Sequence, residues 1–362
     1  MEVHMKQRYI AKLAKGLVPA AALLLALAGT AAAAAPAALD VLGLPEWQVT
    51  SSSFGGKLLL SDSPEMVAGD GILYQDRVAG DARLFFHHVN ATAIPKRLVV
   101  LLENAGPEAA TVTVHQHGLG GPGRDWMAVG KAAQQAYLAG GDVYLVDVPA
   151  RGAAQLSAAL RDAVVQPNML VNGIFDFVAA RPVTVKVMML PVGADAGKFA
   201  LQAAVLPPDG QRLRGTFAGK DRMLVPLKVY NPQDDGAVAL TLADNSLDQY
   251  LEGIDATTGE KVVNYGNYGV VYKLFLPAAG RGKTAYYLNP RGGDYAGALG
   301  IKYKYVIAPP VPTPTGTTAF GANKLTDFAY VGTFAGDESL WLTFSPPGAS
   351  NLPVKLVIVP EK

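Results

Sequence analysis

Four histidines in two short segments are the residues of this chain whose type and spacing best fit metal chemistry. His87 and His88 are adjacent, and His115 and His117 are separated by one residue. Both segments alternate like β-strands, and the two-residue period of a strand places His115 and His117 on one face. If the two strands pair, His87 or His88 lies beside His115 and His117, and a set of three imidazoles suits Cu or Zn. The alternative is four strand histidines, exposed or partly buried, that hold no metal.

A glycine-rich segment follows the second histidine pair. Residues 118–123 match the G-x-G-x-x-G pattern that lets a backbone approach a pyrophosphate, and Asp147 follows at a suitable distance to bind a ribose. However, Pro122 interrupts the segment, and no alternation of strands and helices continues after it. We therefore interpret the glycines as a turn beside a helix packed over a sheet, and we expect no nucleotide cofactor.

Hydrolytic chemistry has less support in the sequence. There is no G-x-S-x-G nucleophile motif, and Glu103, Asp125 and Asp147 have no carboxylate partner that the sequence identifies. The acidic stretch from Asp234 to Asp255 lacks the spacing of an EF-hand. A glycoside hydrolase needs two carboxyl groups roughly 5–10 Å apart, which no pattern here places. We predict no catalytic residues, and a carbohydrate-active hydrolase remains an alternative.

Tyrosines are concentrated in the second half of the chain. Tyr265, Tyr268, Tyr287 and Tyr295 occur there together with Arg291. Exposed tyrosines offer flat apolar faces and a hydroxyl, which suit stacking on sugar rings or packing against a protein partner. We predict that these five residues bind a ligand. The alternative is that the tyrosines alternate between core and edge positions of strands.

The N-terminus has the three parts of a secretory signal. Four basic residues occur in the first fifteen positions, an uncharged apolar stretch continues to Ala28, and small residues follow from Thr30 to Ala35. Cleavage is predicted after Ala33 or Ala34, so residues 1–34 are interpreted as a signal peptide. An uncleaved anchor is the alternative, because the apolar stretch reaches about 20 residues. No later stretch is as long, so we expect no membrane span after cleavage.

The composition excludes several classes of protein. There is no cysteine, which removes disulfides and thiolate metal sites. The formal net charge is +1 and only 17% of residues are charged, so no basic surface is available for nucleic acid. Half of the residues are hydrophobic, which excludes wholesale disorder.

Short apolar or alternating runs, separated by Gly, Pro, Asn and Asp, continue from Val49 to the end of the chain. This pattern of short runs predicts an all-β fold of two antiparallel β-sandwich domains, over residues 40–206 and 213–362. Helical spacing predicts one or two short helices in the first domain, over Arg124–Ala139 and Gly152–Val164.

Two resemblances add to these predictions. The string from Thr113 to Leu119 resembles the first copper-ligand motif of multicopper oxidases, but the later ligand motifs need more histidines and a cysteine, so that enzyme class is excluded. Four other strings are similar to stretches of uncharacterised exported bacterial proteins, some of which are labelled by association with a copper amine oxidase N-terminal stalk domain. These strings are Gly120–Gly130, Asn264–Val270, Asn289–Gly297 and Ser345–Val354. The resemblance implies export and a β-sandwich architecture, identifies no functional residue, and does not include the stalk domain itself.

The sequence therefore favours an exported, non-enzymatic protein of the bacterial cell envelope, in the periplasm or cell wall or secreted. Its expected partner is an envelope polysaccharide or another envelope protein. The first alternative is an exported protein that binds Cu or Zn through the strand histidines, and the second is an exported carbohydrate-active hydrolase.

Overall fold

The structure is a computed structural model, and it describes residues 39–361. The predicted signal peptide, residues 1–34, lies outside the described residues. The prediction of a mostly β protein with minor helix is confirmed, because strands form most of the regular structure and the four helices of the described chain are short. The helices are α1 (Trp126–Ala139), α2 (Ala158–Arg161), α3 (Ala196–Gln202) and α4 (Pro232–Asp235).

Twenty-two strands are present between residues 39 and 361. The first eleven are β1 (Val49–Phe54), β2 (Lys57–Ser61), β3 (Met66–Val67), β4 (Gly71–Asn90), β5 (Lys96–Asn104), β6 (Ala110–Gly123), β7 (Tyr144–Val148), β8 (Gly152–Gln155), β9 (Leu170–Pro191), β10 (Arg214–Ala218) and β11 (Asp221–Pro226). The others are β12 (Val238–Leu242), β13 (Leu251–Ile254), β14 (Lys261–Asn264), β15 (Val271–Leu276), β16 (Lys283–Pro290), β17 (Gly297–Tyr303), β18 (Val306–Ile307), β19 (Val311–Thr313), β20 (Ala329–Ala335), β21 (Leu340–Phe344) and β22 (Val354–Pro360).

The described strands form three sheets. The largest has eleven strands in the order β14-β13-β10-β2-β4-β9-β5-β8, with β3 beside β4, and with β6 between β9 and β7. A second sheet has the order β1-β11-β15-β21-β17-β18, with β19 beside β17, and the third has the order β12-β22-β16-β20. Most pairs are antiparallel, whereas β2 and β3 pair with β4, and β11 with β15, in parallel.

Two long strands organise the largest sheet. β4 and β9 pair from Gly71 opposite Met189 to Val89 opposite Leu170. The other edge of β9 is shared, because β5 pairs with its C-terminal half and β6 with its N-terminal half. The outer neighbours of β5 and β6 are the short strands β8 and β7. The sheet therefore ends in two separate short edge strands on this side.

Strands from the two halves of the chain pair with each other. β10 lies after the predicted boundary, yet it pairs with β2, and β1 from the first half pairs with β11. The described residues cluster as one compact unit. The prediction of two separate sandwiches, over 40–206 and 213–362, is therefore not confirmed, because inter-strand hydrogen bonds cross that boundary in both larger sheets.

The buried Arg83 also joins the two halves, because it pairs with Asp176 of the first half and, at 2.9 Å, with Asp221 of the second. The Arg83 guanidinium donates two hydrogen bonds to the Asp176 carboxylate, at 2.5 and 2.7 Å, and both side chains are buried. Arg83 also donates to the carbonyl oxygen of Lys220 at 2.6 Å and to the Tyr137 hydroxyl at 2.8 Å. The charge of Arg83 is thus paired and hydrogen-bonded, which is the condition for burying it without a large penalty.

The G-x-G-x-x-G segment is the packing surface of α1. Gly118 and Gly120 lie within β6, and a Cβ atom on Gly118 would be 2.1 Å from the carbonyl oxygen of Ala133 in the helix. A Cβ on Gly120 would be 2.0 Å from the carbonyl oxygen of Val129. The predicted helix beside the glycines is confirmed, and the glycines allow its backbone to approach the strand. They are part of a strand, where the sequence had indicated a turn.

The second predicted helix, Gly152–Val164, is wrong for most of its length. Gly152–Gln155 forms β8, which pairs with Leu101–Asn104 of β5, and only the four residues of α2 are helical. Pairing with a neighbouring strand overrides the helical spacing of Leu156, Ala159 and Leu160 that predicted the helix, as tertiary context commonly does with weak local preferences.

Candidate functional site

A groove of about 730 Å³ lies where the largest sheet ends in β7 and β8. One wall is Tyr144–Asp147 of β7, and the other is Ala153–Leu156 at β8. Ala158 and Arg161 of α2, Leu101 of β5 and Asp195–Gly197 at the start of α3 complete the lining. A volume of this size is typical of sites that hold small molecules or short segments of a polymer.

The two walls diverge because β7 and β8 follow different neighbours. β7 pairs with β6, and β8 pairs with β5, although the two strands are joined by only three residues. The Tyr144 hydroxyl crosses between them and donates to the carbonyl oxygen of Leu156 at 3.0 Å. The groove is therefore bounded by the free edges of two strands.

Small side chains and a few polar groups line the groove. Its small residues are Ala153, Ala154, Ala158, Ala196 and Gly197. Walls made of small side chains leave room for the side chains of a bound partner. The charged groups are the carboxylates of Asp147 and Asp195 and the guanidinium of Arg161.

Two exposed apolar side chains lie at the start of β7, and one of them, Leu145, also lines the groove. Val143 and Leu145 are 65% and 64% exposed. Leu145 is opposite Thr113 of β6, which is opposite the exposed Val178 of β9. Edge strands with exposed apolar residues are uncommon in proteins that have no partner at that edge, because they template pairing with another chain.

The structure does not bring the four predicted metal-binding histidines together. His87 is opposite Asn172 and His117 is opposite Phe175, on the two edges of β9. Two strand spacings, about 9.6 Å, separate β4 from β6, and the offset along the strands adds about 10 Å. Between residues 39 and 361, no group of three or more His, Cys, Asp or Glu is arranged to hold a metal ion.

His115 and His117 have different surroundings. His115 is exposed, whereas the ring of His117 stacks on Phe175 with 5.6 Å between the centroids. Tyr144 also packs against His117 in a T-shaped arrangement, with 5.4 Å between the centroids. His115 and His117 were predicted to share one face of the strand, but a register shift between Val114 and Gln116 interrupts that alternation.

His87 is buried beside two acidic residues. Its Nδ1 is 3.0 Å from the Asp62 carboxylate and 4.0 Å from Glu65, and its Nε2 has no hydrogen-bond partner among the described residues. Burial lowers the pKa of His87, but the charge of Asp62 and the hydrogen bond to it outweigh burial, so the pKa is raised. Burial raises the pKa of Asp62 to about 6, against the opposing effect of His87.

His88 is a neutral structural residue. Its Nδ1 lies 2.9 Å from the carbonyl oxygen of Pro64, which can only accept, so Nδ1 carries the proton. Its Nε2 then accepts from the Ser61 hydroxyl at 2.8 Å. Burial lowers the pKa of His88 to about 3. Both nitrogens are occupied by the protein, which leaves neither for a metal.

The five predicted ligand-binding residues are divided between core and surface. Tyr287 and Tyr295 are buried in strand or core positions, and the Tyr268 hydroxyl donates to the carbonyl oxygen of Ser350 at 2.6 Å. Arg291 donates to the carbonyl oxygen of Lys324. Tyr265 is 51% exposed. This placement does not form a shared tyrosine surface, and it agrees better with alternation between core and edge.

The predicted acidic candidates lie apart from one another. Glu103 pairs with Lys186 at 2.8 Å, and Asp125 caps the N-terminus of α1. Asp147 accepts from the Thr111 hydroxyl at 2.9 Å and borders the groove. Of these three acidic residues, only Asp147 lines the groove, as part of its wall.

Sequence reasoning missed the groove itself. The alternating residues Val143–Val148 predict β7, but the helical spacing of Leu156, Ala159 and Leu160 predicts a helix where β8 begins. The signal that points to the groove is the exposure of Val143 and Leu145 on an edge strand, which requires the pairing to be known.

Comparisons with known proteins do not assign this chain to a family. No family model matches the chain, and no curated protein matches it. A structure of the oxalate decarboxylase of Bacillus subtilis aligns with 10% identity over 88% of this chain and 78% of that chain, with a TM-score of 0.13. The oxalate decarboxylase of Lactobacillus farciminis, in its formate complex, aligns with 9% identity over 86% and 88%, with a TM-score of 0.12. Similarity at this level carries no argument about fold or function.

None of the helices within residues 39–361 has the length and apolar composition needed to span a bilayer.

Proposed function

We propose that this chain is an exported, non-enzymatic protein of the cell envelope that holds an extended partner in the groove between β7 and β8. The partner is a wall polysaccharide or a segment of another envelope protein. The observation that carries the proposal is the groove itself, a space of about 730 Å³ bounded by two free strand edges and small side chains.

The shape of the groove supports an extended partner. Its two walls are strands, so the lining repeats along a line several residues long. Leu145 of the lining and the adjacent Val143 are both exposed and provide apolar contact area for the partner. Export is supported by the three-part N-terminal pattern, and the absence of cysteine in the sequence is compatible with it.

Co-sedimentation with isolated cell-wall sacculi, and with solubilised envelope polysaccharide and protein fractions, tests this function. Ala158→Arg places a long side chain in the lining of the groove, and Ala159→Arg is the matched control, because Ala159 is exposed on the same helix and does not line the groove. We expect the first variant to bind at least tenfold less and the second to bind like the unmodified protein. Equal binding by both variants, or no binding by the unmodified protein, would contradict the proposal.

A further inference from the structure

We infer that the partner in the groove is an extended peptide segment, which adds as a further strand to the free edge of β8. The inference rests on the proposed function above, because it identifies the class of partner at the same groove. Its basis is the direction of the backbone groups of β8, the unsatisfied Gln155 side chain and the charges around the groove.

The register of β8 shows which backbone groups face the groove. The Leu156 N–H donates to the Val100 carbonyl oxygen at 2.9 Å, so these two residues form a hydrogen-bonded pair. Hydrogen-bonded and non-hydrogen-bonded pairs alternate along an antiparallel ladder. Ala154 therefore bonds to β5, whereas the N–H and C=O groups of Ala153 and Gln155 point away from β5.

These outward groups have the spacing that a peptide strand requires. Ala153 and Gln155 are two residues apart, which is about 6.8 Å along a strand, the repeat of every β-ladder. Within the described chain, β8 pairs with β5 alone. A peptide strand offers N–H and C=O groups at this repeat, and β-augmentation is a recurrent mode of peptide recognition.

The side chain of Gln155 provides a further polar group. Its Oε1 is shielded from solvent and has no hydrogen-bond partner among the described residues. A buried acceptor without a donor costs free energy, which a donor from a bound segment recovers. Gln155 lies in the wall of the groove, so a backbone or side-chain N–H of the added strand can reach it.

The lining also indicates which peptide fits. Successive side chains of an added strand point to opposite faces of the sheet, and each face has a small residue beside the groove, Ala154 on one and Ala196 on the other. These small residues leave room for bulky apolar side chains. The carboxylates of Asp147 and Asp195 outnumber the single guanidinium of Arg161. Charge complementarity therefore favours a segment that carries Lys or Arg together with alternating apolar residues.

Selection of a phage-displayed twelve-residue peptide library on the purified protein tests the inference. Counter-selection on the Ala158→Arg variant removes peptides that bind elsewhere. We expect the remaining peptides to alternate apolar with polar or basic residues. Bound synthetic copies should slow amide hydrogen exchange at Ala153 and Gln155 at least tenfold, measured by NMR.

A proline variant separates strand addition from side-chain contacts. Ala153→Pro removes the N–H that faces the groove and leaves the Ala154 bonds to β5, and edge strands tolerate such a proline. Ala153→Val is the matched control, because it keeps the N–H. We expect Ala153→Pro to weaken peptide binding at least tenfold and Ala153→Val to change it less than threefold. If the proline variant is unfolded by circular dichroism, the exchange measurement on the unmodified protein decides.

Five outcomes would overturn the inference. Peptides that bind Ala153→Pro normally, or that leave exchange at Ala153 and Gln155 unchanged, exclude strand addition. Dimerisation that Ala158→Arg abolishes, measured by analytical ultracentrifugation, makes a second copy the occupant. If polysaccharide binds in the groove and no peptide is selected, the proposed function stands and the peptide inference is wrong. If neither binds, both are wrong.

Discussion

Replacing Gly118 by alanine tests whether the glycine-rich segment is a packing surface. The new Cβ would lie 2.1 Å from the Ala133 carbonyl oxygen and 2.4 Å from the Tyr137 nitrogen, both in the backbone of α1. These atoms cannot rotate away, so the helix has to move outward by roughly 1 Å to restore ordinary contact distances. Overpacking of this kind costs about 1–3 kcal/mol and occasionally more.

The position of Tyr137 places the expected cost at the upper end of that range. Its hydroxyl accepts a hydrogen bond from the buried Arg83 guanidinium at 2.8 Å, and a shift of α1 strains this contact as well. We expect Gly118→Ala to lower the free energy of unfolding by about 3 kcal/mol, measured by urea denaturation. Gly210→Ala is the control, because no atom lies within 4 Å of its Cβ, and we expect a change below about 0.5 kcal/mol.

Two results would refute this reasoning. The first is a Gly118→Ala variant as stable as the unmodified protein. The second is an increase in the unfolding midpoint of the unmodified protein when NADH is added, because a ligand that binds the folded state stabilises it. The second result would restore the dinucleotide interpretation of the G-x-G-x-x-G segment.

Three further predictions concern charge and processing. Asp176→Asn removes the buried carboxylate that binds Arg83 and Lys220, and Arg83 keeps only its ion pair with Asp221, so the variant should cost about 3 kcal/mol in urea denaturation. Glu108→Gln, in an exposed ion pair, should cost less than about 1 kcal/mol, and equal costs would contradict this expectation. The lowered pKa of His88 means that the folded protein keeps this imidazole neutral while the unfolded chain protonates it. Its contribution to stability is therefore full above about pH 6.5 and is lost as the pH falls toward 3, by up to ~1.4 kcal/mol per pH unit. This part of the pH dependence should disappear in His88→Gln. His115→Gln is the control, because it removes an exposed histidine. If the slope of stability against pH is unchanged in His88→Gln, His88 is not its source. Intact-mass analysis of the exported protein should find cleavage after Ala33 or Ala34, and a retained N-terminus would favour the anchor instead.

Local patterns predicted the elements better than their pairing. Two-residue alternation identifies most strands, and the spacing in Arg124–Ala139 identifies α1, because each pattern reflects one buried face. The sharing of sheets between the two halves depends on contacts such as β2 with β10, whose residues are far apart in sequence. No local period in the sequence reports such a contact. The boundary between residues 206 and 213 was therefore placed at a local turn signal, the segment Pro207–Gly210.

The candidate site was less predictable for the same reason. His87 and His117 have the right residue type for a metal site, but the intervening strand β9 separates them, and its position follows from long-range pairing. The tyrosines were ambiguous, because a ring suits both a core and a binding surface, and the burial of Tyr287 and Tyr295 favours the core. The groove depends on the divergence of β7 and β8, which the sequence does not encode locally.

Hydrogen exchange of the unmodified protein, with and without the bound envelope fraction, tests the central claim most directly. Mass spectrometry of peptides that cover Tyr144–Val148 and Gly152–Gln155 reports on the two edges of the groove. We predict slower exchange in these two segments and little change around Tyr265, which is exposed elsewhere. Slower exchange around Tyr265 with no change in β7 and β8 would contradict the claim.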